Sequence, residues 1–191
     1  MLKMLTIIIP CYNEERTIEQ IIVKILKQKY IRKQIIIVDD NSSDESVKKI
    51  LKYKSKINKI IFHKQNKGKG ACIRSAQKYI KGSVVIIQDA DLEYDPDDYK
   101  KLIEPITSGK RKVVYGSRFL KKSKIKIKKN FHNPSLRVFG NIMLTKLSNF
   151  LNKQNLTDAH TCYKVFDSIL FKSIKLKEND FAFCPEITSI I

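Results

Sequence analysis

The most constraining feature of this chain is a rhythm. Short, β-branched apolar runs alternate with amphipathic stripes from the N-terminus to about residue 115. The runs at 5–9, 34–38, 59–63, 83–87 and 113–115 are strand-length. Most are predominantly apolar, as expected of parallel strands covered on both faces; 59–63 is the weakest. Between them, Ile18, Ile21, Ile22, Ile25 and Leu26 recur at helical spacing. Val47, Ile50 and Leu51 do the same after the cap-forming Asn41-Ser42-Ser43-Asp44. A third stripe is Ala71, Cys72, Ser75, Ala76 and Tyr79, and a fourth, after Pro96, is Tyr99, Leu102, Ile103 and Ile106. Each stripe residue gains roughly 1.5–3 kcal/mol on burial, so the helices dock on the sheet. The pattern predicts an α/β fold, a mostly parallel sheet sandwiched by helices.

In open sheets of this kind, ligands bind outside the carboxyl ends of the strands. The polar clusters of this sequence fall at those ends. Tyr12-Asn13-Glu14 follows the first strand, Asp39-Asp40-Asn41-Ser42 the second, and the 66–70 segment the third. Asp89-Ala90-Asp91 and Ser117-Arg118 follow the fourth and fifth. Together they offer acceptors for a base and a ribose, carboxylates for a metal, and an arginine for phosphate. That inventory suits a nucleoside diphosphate. No G-x-G-x-x-G follows the first strand and no G-x-x-x-x-G-K-[ST] occurs, so neither a dinucleotide site nor a P-loop is expected. Lys67-Gly68-Lys69-Gly70 could cradle phosphate, but its glycines are better explained by close packing at a helix start.

Asp89, Asp91 and Glu93 arrive at spacing two. In a continuing strand all three would point to one face. Carboxylates so packed repel one another unless a cation or water intervenes. An oxygen-only ligand set suits Mg²⁺ or Mn²⁺ better than zinc. The competing reading is an acidic turn that is simply solvated.

At 191 residues, this is one large domain or one domain with an appendage. Cys11, Cys72, Cys162 and Cys184 show neither a CxxC pair nor metal-ligand spacing, and His63, His132 and His160 form no ligand pattern. That argues against zinc or a disulfide framework and fits a reduced, cytoplasmic chain. No apolar stretch reaches membrane-span length, and the N-terminal run is too short for a signal peptide. The net charge of +19 comes from 38 Lys+Arg against 19 Asp+Glu, spread over nearly every segment. The basic tract at 121–129 has no interleaved aromatics, so nucleic acid is not the expected partner. That spread favours a general compositional bias and a solvated lysine-rich exterior; attachment to an anionic membrane surface, with the chain peripheral on its inner face, is the competing reading.

Read in order, the motifs resemble glycosyltransferase family 2. They are Ile7-Ile8-Ile9-Pro10-Cys11-Tyr12-Asn13-Glu14-Glu15, Ile37-Val38-Asp39-Asp40-Asn41-Ser42-Ser43-Asp44, Asn66-Lys67-Gly68-Lys69-Gly70 and Gln88-Asp89-Ala90-Asp91-Leu92-Glu93. Val114-Tyr115-Gly116-Ser117-Arg118-Phe119, Thr157-Asp158, Thr161-Cys162-Tyr163-Lys164 and Phe183-Cys184-Pro185-Glu186-Ile187-Thr188 extend the match over nearly the whole chain. Within that family the sequence is most similar to the dolichyl- or undecaprenyl-phosphate sugar transferases.

The resemblance implies a GT-A (Rossmann-like) fold and an inverting transfer from a nucleotide-sugar, a GDP- or UDP-sugar, to a polyisoprenyl phosphate. It implies that Pro10, Tyr12, Glu14, Val38 and Asp40 line the base and ribose pocket, and that Asp89-Ala90-Asp91 meets the diphosphate. Asp89 and Asp91 would be the metal-binding pair for Mg²⁺ or Mn²⁺, with Glu93 a third ligand. Arg118 would approach a phosphate. A lipid phosphate is already ionised and needs no general base, whereas a hydroxyl acceptor would. Asp158 is the candidate base, its alternative role being to cap the segment before Thr161.

Residues 1–120 would form the nucleotide-sugar part of this single domain and 121–191 the acceptor-side part. Leu136, Phe139, Met143, Leu144, Leu147, Phe150 and Leu151 make one long helical stripe, expected to pack in the core. A membrane-facing helix is the second reading. A helix is expected to begin near Glu186 and to be cut short at Ile191, where similar chains run on. That predicts an apparently truncated domain with weak turnover. Two alternatives stand beside a working transferase: a weakly active or inactive nucleotide-sugar-binding homologue, and a sugar-phosphate nucleotidyltransferase.

Overall fold

The computed structural model describes residues 4–119 and 134–191, with the side chains of 134–137 excepted. The basic tract at 121–129 and His132 lie outside the described residues.

The five expected strands form. They are β1 (Met4–Cys11), β2 (Arg32–Asp39), β3 (Lys59–Phe62), β4 (Val84–Ile87) and β5 (Val113–Tyr115). A sixth, β6 (Lys164–Asp167), was not anticipated. The sheet order is β3-β2-β1-β4-β6-β5. β1 pairs in parallel with both β2 and β4, and β2 with β3. β6 runs antiparallel between β4 and β5, with Val165 opposite both Ile86 and Val114. β6 escaped the reading because only Val165 and Phe166 are apolar in it; Lys164 and Asp167 break the pattern of a buried run.

Alternate residues of the central strands feed two cores. Leu5, Ile7 and Ile9 face one side of the sheet, where α1 (Ile18–Lys27) packs through Ile18, Ile21, Ile22 and Ile25, all fully buried. α2 (Ser46–Leu51) and α4 (Tyr99–Thr107) cover the same side through Ile50, Tyr99, Ile103 and Ile106. Ile8, Ile36, Val38, Val85 and Ile87 face the other side. There α3 (Lys69–Gln77), α6 (Ser168–Ser173) and α7 (Phe183–Ile190) contribute Cys72, Ile73, Ala76, Phe171, Phe183 and Ile187. α7 starts three residues before the expected Glu186, because Pro185 sits in its first turn, where a missing N–H costs nothing.

α5 (Pro134–Asn152) reverses an expectation. Its apolar stripe was expected in the core, yet Phe139, Met143, Leu144, Leu147, Phe150 and Leu151 are all more than half exposed. The polar side of the helix faces the protein instead. Thr145, 4% exposed, accepts a hydrogen bond from the Ala159 amide. Asn149 bonds both the carbonyl and the amide of Leu156, at 2.8 and 2.9 Å. Periodicity located the helix, but the side facing inward was set by backbone groups in need of partners.

Candidate active site

The carboxyl end of the sheet is built from loops laced to one another. The Asn13 amide donates to Ser42 Oγ at 3.0 Å, and the Ser43 amide to Asn13 Oδ1 at 2.8 Å. Asn13 and Asn41 both adopt positive φ, which asparagine tolerates better than most residues. Asp44 is used in this lacing, accepting from the Glu15 and Ser46 amides; it does not cap α2, whose N-cap is Glu45.

One cavity of about 270 Å³ opens here, lined by Pro10, Tyr12, Glu14, Asp40, Ala90 and the aspartates at 89 and 91. Val38, expected in that lining, is fully buried under α3, in the apolar core on that face of the sheet. Its neighbour in register, Pro10, is only partly buried and lines the cavity.

Asp40 is held tightly. His63 Nδ1 lies 2.5 Å from Asp40 Oδ1, and its Nε2 lies 2.9 Å from Ser75 Oγ. The amides of Lys67 and Gly68 also donate to the Asp40 carboxylate, at 2.7–3.1 Å. Asp40, His63 and Cys72 bring three possible ligand atoms within 4.8 Å of one another, a group no sequence spacing revealed. Gly68 has φ +85, and a Cβ there or at Gly70 would run into the backbone of Glu178 and Asn179, with the Asp180 side chain also in the way at Gly68. Close packing therefore accounts for both glycines.

The carboxylates do not sit on a continuing strand. β4 ends at Ile87, and Leu92 takes positive φ, so 88–94 is a turn. The fully buried Gln88 organises it. Its amide group donates to the carbonyls of Asp89 and Tyr94, and its Oε1 accepts from the Tyr99 hydroxyl at 2.9 Å. The turn nevertheless brings Asp89, Asp91 and Glu93 to one second cavity, of about 520 Å³.

Two cations answer these carboxylates. Lys69 pairs with Asp89, both side chains being mostly buried. Burial opposes the Lys69 charge, but Asp89 and its other neighbours outweigh it and raise the pKa. Arg118 Nη1 lies 3.5 Å from Glu93. Arg118 is also gripped by Asp158: Nε to Oδ2 at 2.8 Å, Nη2 to Oδ1 at 2.9 Å, and its own amide to Oδ2 at 3.1 Å. Burial would lower the Arg118 pKa, yet the Asp158 hydrogen bonds and nearby charges raise it overall. Asp158 is 1% exposed and both its oxygens serve Arg118, so it lies behind the arginine and does not line the cavity.

Asp89, Asp91 and Glu93 offer oxygen donors of the kind a hard divalent cation takes at one cavity wall, Asp89 and Glu93 being paired here with Lys69 and Arg118.

Three residues were not singled out from the sequence. Phe181, 74% exposed, lines both cavities, as Asp89 and Asp91 do. His160 lines the larger cavity, and burial, helped by Lys164, lowers its pKa. Asp180 lines the smaller one. All three lie on irregular segments, where no periodicity marks a residue for notice.

Comparison with known proteins adds to this geometry. Residues 6–175 match the model of glycosyl transferase family 2. A UDP-N-acetylglucosamine–dolichyl-phosphate N-acetylglucosaminyltransferase of Methanococcus voltae is 33% identical over 96% of this chain and 78% of its own length. A dolichol-phosphate mannosyltransferase of Pyrococcus furiosus is 33% identical over 63% of this chain and 34% of its own. A dolichyl-phosphate beta-glucosyltransferase of Trichomonas vaginalis is 26% identical over 96% of this chain; the chain spans 60% of that protein's length. Among solved structures, glucosyl-3-phosphoglycerate synthase of Mycobacterium tuberculosis, in complex with Mn²⁺, UDP-glucose and phosphoglyceric acid, superposes with a TM-score of 0.73. It is 17% identical, and the match covers 96% of this chain and 63% of that one, a likeness of fold.

Proposed function

The chain belongs to glycosyl transferase family 2 and has its GT-A fold, and from that premise we propose an inverting, metal-dependent sugar transfer from a nucleotide-sugar to a polyisoprenyl phosphate. The observation that carries this reading is the meeting of two cavities at Asp89, Asp91 and Phe181. A transferase needs two binding spaces that share the reacting centre. The smaller space takes the nucleotide: Tyr12 offers an aromatic face, Glu14 and Asp40 offer acceptors, and Pro10 a rigid wall.

Asp91 and Asp89 would hold Mg²⁺ or Mn²⁺, with Glu93 on the same cavity wall as the candidate third ligand. When bound, that ion stabilises the charge that develops on a departing nucleoside diphosphate. Lys69 places a second positive charge at the same point and orients the diphosphate. Arg118 faces the larger space, where it binds the acceptor phosphate. Asp158 is a positioning residue: it fixes the guanidinium plane, and its oxygens are already used. The acceptor phosphate is ionised at neutral pH, so its attack on the anomeric carbon needs no proton removed. Attack from the face opposite the leaving group inverts that carbon.

The relatives' names support the lipid acceptor, and α5 agrees with it. Its exposed apolar face continues from Leu144, which lines the larger cavity. No described helix is long and apolar enough to cross a membrane. We assign α5 to the surface of an anionic bilayer, where the net charge of +19 favours attachment and the apolar face dips among the lipids.

The direct test offers UDP-N-acetylglucosamine, UDP-glucose and GDP-mannose with Mn²⁺ and polyprenyl phosphate. Formation of a lipid-linked sugar with release of a nucleoside diphosphate is the expected result. Release of pyrophosphate, or no lipid product from any donor, would sink the reading.

A further inference from the structure

Two thiols stand together on the wall of the larger cavity. Cys162 Sγ and Cys184 Sγ are 3.7 Å apart, in contact across 22 residues of sequence. Cys162 lies just before β6, and Cys184 in the first turn of α7. Both line the same cavity as Asp89, Asp91 and Arg118, so a small solute that enters it reaches the sulfurs. Neither has any part in the transfer described above.

We propose that Cys162 and Cys184 are an oxidation site, joined as a disulfide by a small hydroperoxide and reopened by a thiol reductant. The first step is attack of the Cys184 sulfur on the peroxide O–O bond, which gives a sulfenic acid and water. The Cys162 sulfur then attacks the sulfenic sulfur and expels a second water. Overall, two thiols and one hydrogen peroxide become one disulfide and two waters.

The surroundings make Cys184 the attacking thiol. The hydrogen bond from Cys162 lowers the Cys184 pKa against the effect of burial, and the Lys69 and Lys164 charges lower it further, outweighing the opposing charge of Asp89. Cys11 and Cys72 provide the internal contrast. Burial pushes the Cys11 thiol up to about 12, and the Cys72 thiol higher still.

Closing the bond brings the sulfurs from 3.7 Å to about 2.05 Å. That draws the start of α7 toward the segment before β6. Phe181, three residues before Cys184 and shared by both cavities, shifts with it. Oxidation should therefore weaken donor binding reversibly; this consequence rests on the transferase reading, whereas bond formation does not.

The test treats the reduced chain with excess hydrogen peroxide, alkylates what remains and maps the peptides. Two of the four thiols should disappear, with one peptide pair linked through Cys162 and Cys184. Dithiothreitol should restore all of them. In Cys162→Ser, dimedone should trap a sulfenic acid at Cys184. UDP affinity with Mn²⁺ should fall about tenfold in the linked form and recover on reduction. Four surviving thiols, a linkage through Cys11 or Cys72, or over-oxidised Cys184 without a link would overturn the proposal. The mapping needs neither variant nor substrate. A chain that links but never transfers sugar keeps this site and loses the transferase reading, and the reverse outcome does the opposite.

Discussion

At the scale of single residues, burial decided what the sequence could show. Asp91 and Arg118 stand out in the sequence because charged groups next to a buried strand demand a reason, and the fold places both at the larger cavity. Asp158 was legible as important, but not for what it does. A lone aspartate before Thr161 looks like a base or a cap; only the fold shows both its oxygens on Arg118. Removing one member of such a pair leaves a buried charge unanswered. Asp158→Ala should cost about 3–5 kcal/mol in urea unfolding, and a loss under about 1 kcal/mol would mean the pair is solvated. Lys164 makes a second test. It is fully buried, donates to the Ala159 carbonyl at 2.9 Å, and lies over the Tyr115 ring. Burial lowers its pKa from 10.5 to about 8. Below pH 8 the ammonium is charged in both folded and unfolded chains, and the whole cost of burying it is present. Between pH 8 and 10.5 the unfolded chain binds more protons, so stability rises with pH. Relative to Lys164→Met, the wild type should gain stability over that window in parallel denaturation series. A difference that stays flat would contradict the assignment.

At the scale of elements, periodicity gave the strands and helices of the first 115 residues, because their apolar positions all face one sheet. It failed where another rule prevailed. β6 pairs through its backbone with β4 and β5 although its sequence alternates poorly. α5 carries its apolar stripe outward because Thr145 and Asn149 satisfy backbone groups inward. That inversion has a measurable consequence. Leu147 and Phe150 are 54% and 81% exposed, so changing both to Ser should alter folding stability by no more than about 0.5 kcal/mol each. The same double variant should bind anionic liposomes about tenfold less tightly in sedimentation. Loss of stability with unchanged liposome binding would return α5 to the role of a core helix.

At the scale of the whole molecule, the site is an edge property. The loops after β1, β2 and β4 meet where the sheet ends, and α7 closes the far side through the segment carrying Phe181. The placement at the carboxyl edge followed from the strand order of polar clusters alone. The division into two cavities did not, because it depends on Phe181, on Arg118 and on a turn held by Gln88, which periodicity cannot position. Asp89 and Asp91 belong to both spaces, and the account stands on that shared pair. Calorimetric titration of UDP and GDP, each with and without Mn²⁺, into the wild type and Asp91→Asn tests it most directly. The account predicts that Mn²⁺ tightens binding of one nucleotide to the wild type by about tenfold or more, and that Asp91→Asn folds normally and loses this gain. Equal Mn²⁺-dependent affinity in the folded variant would contradict it.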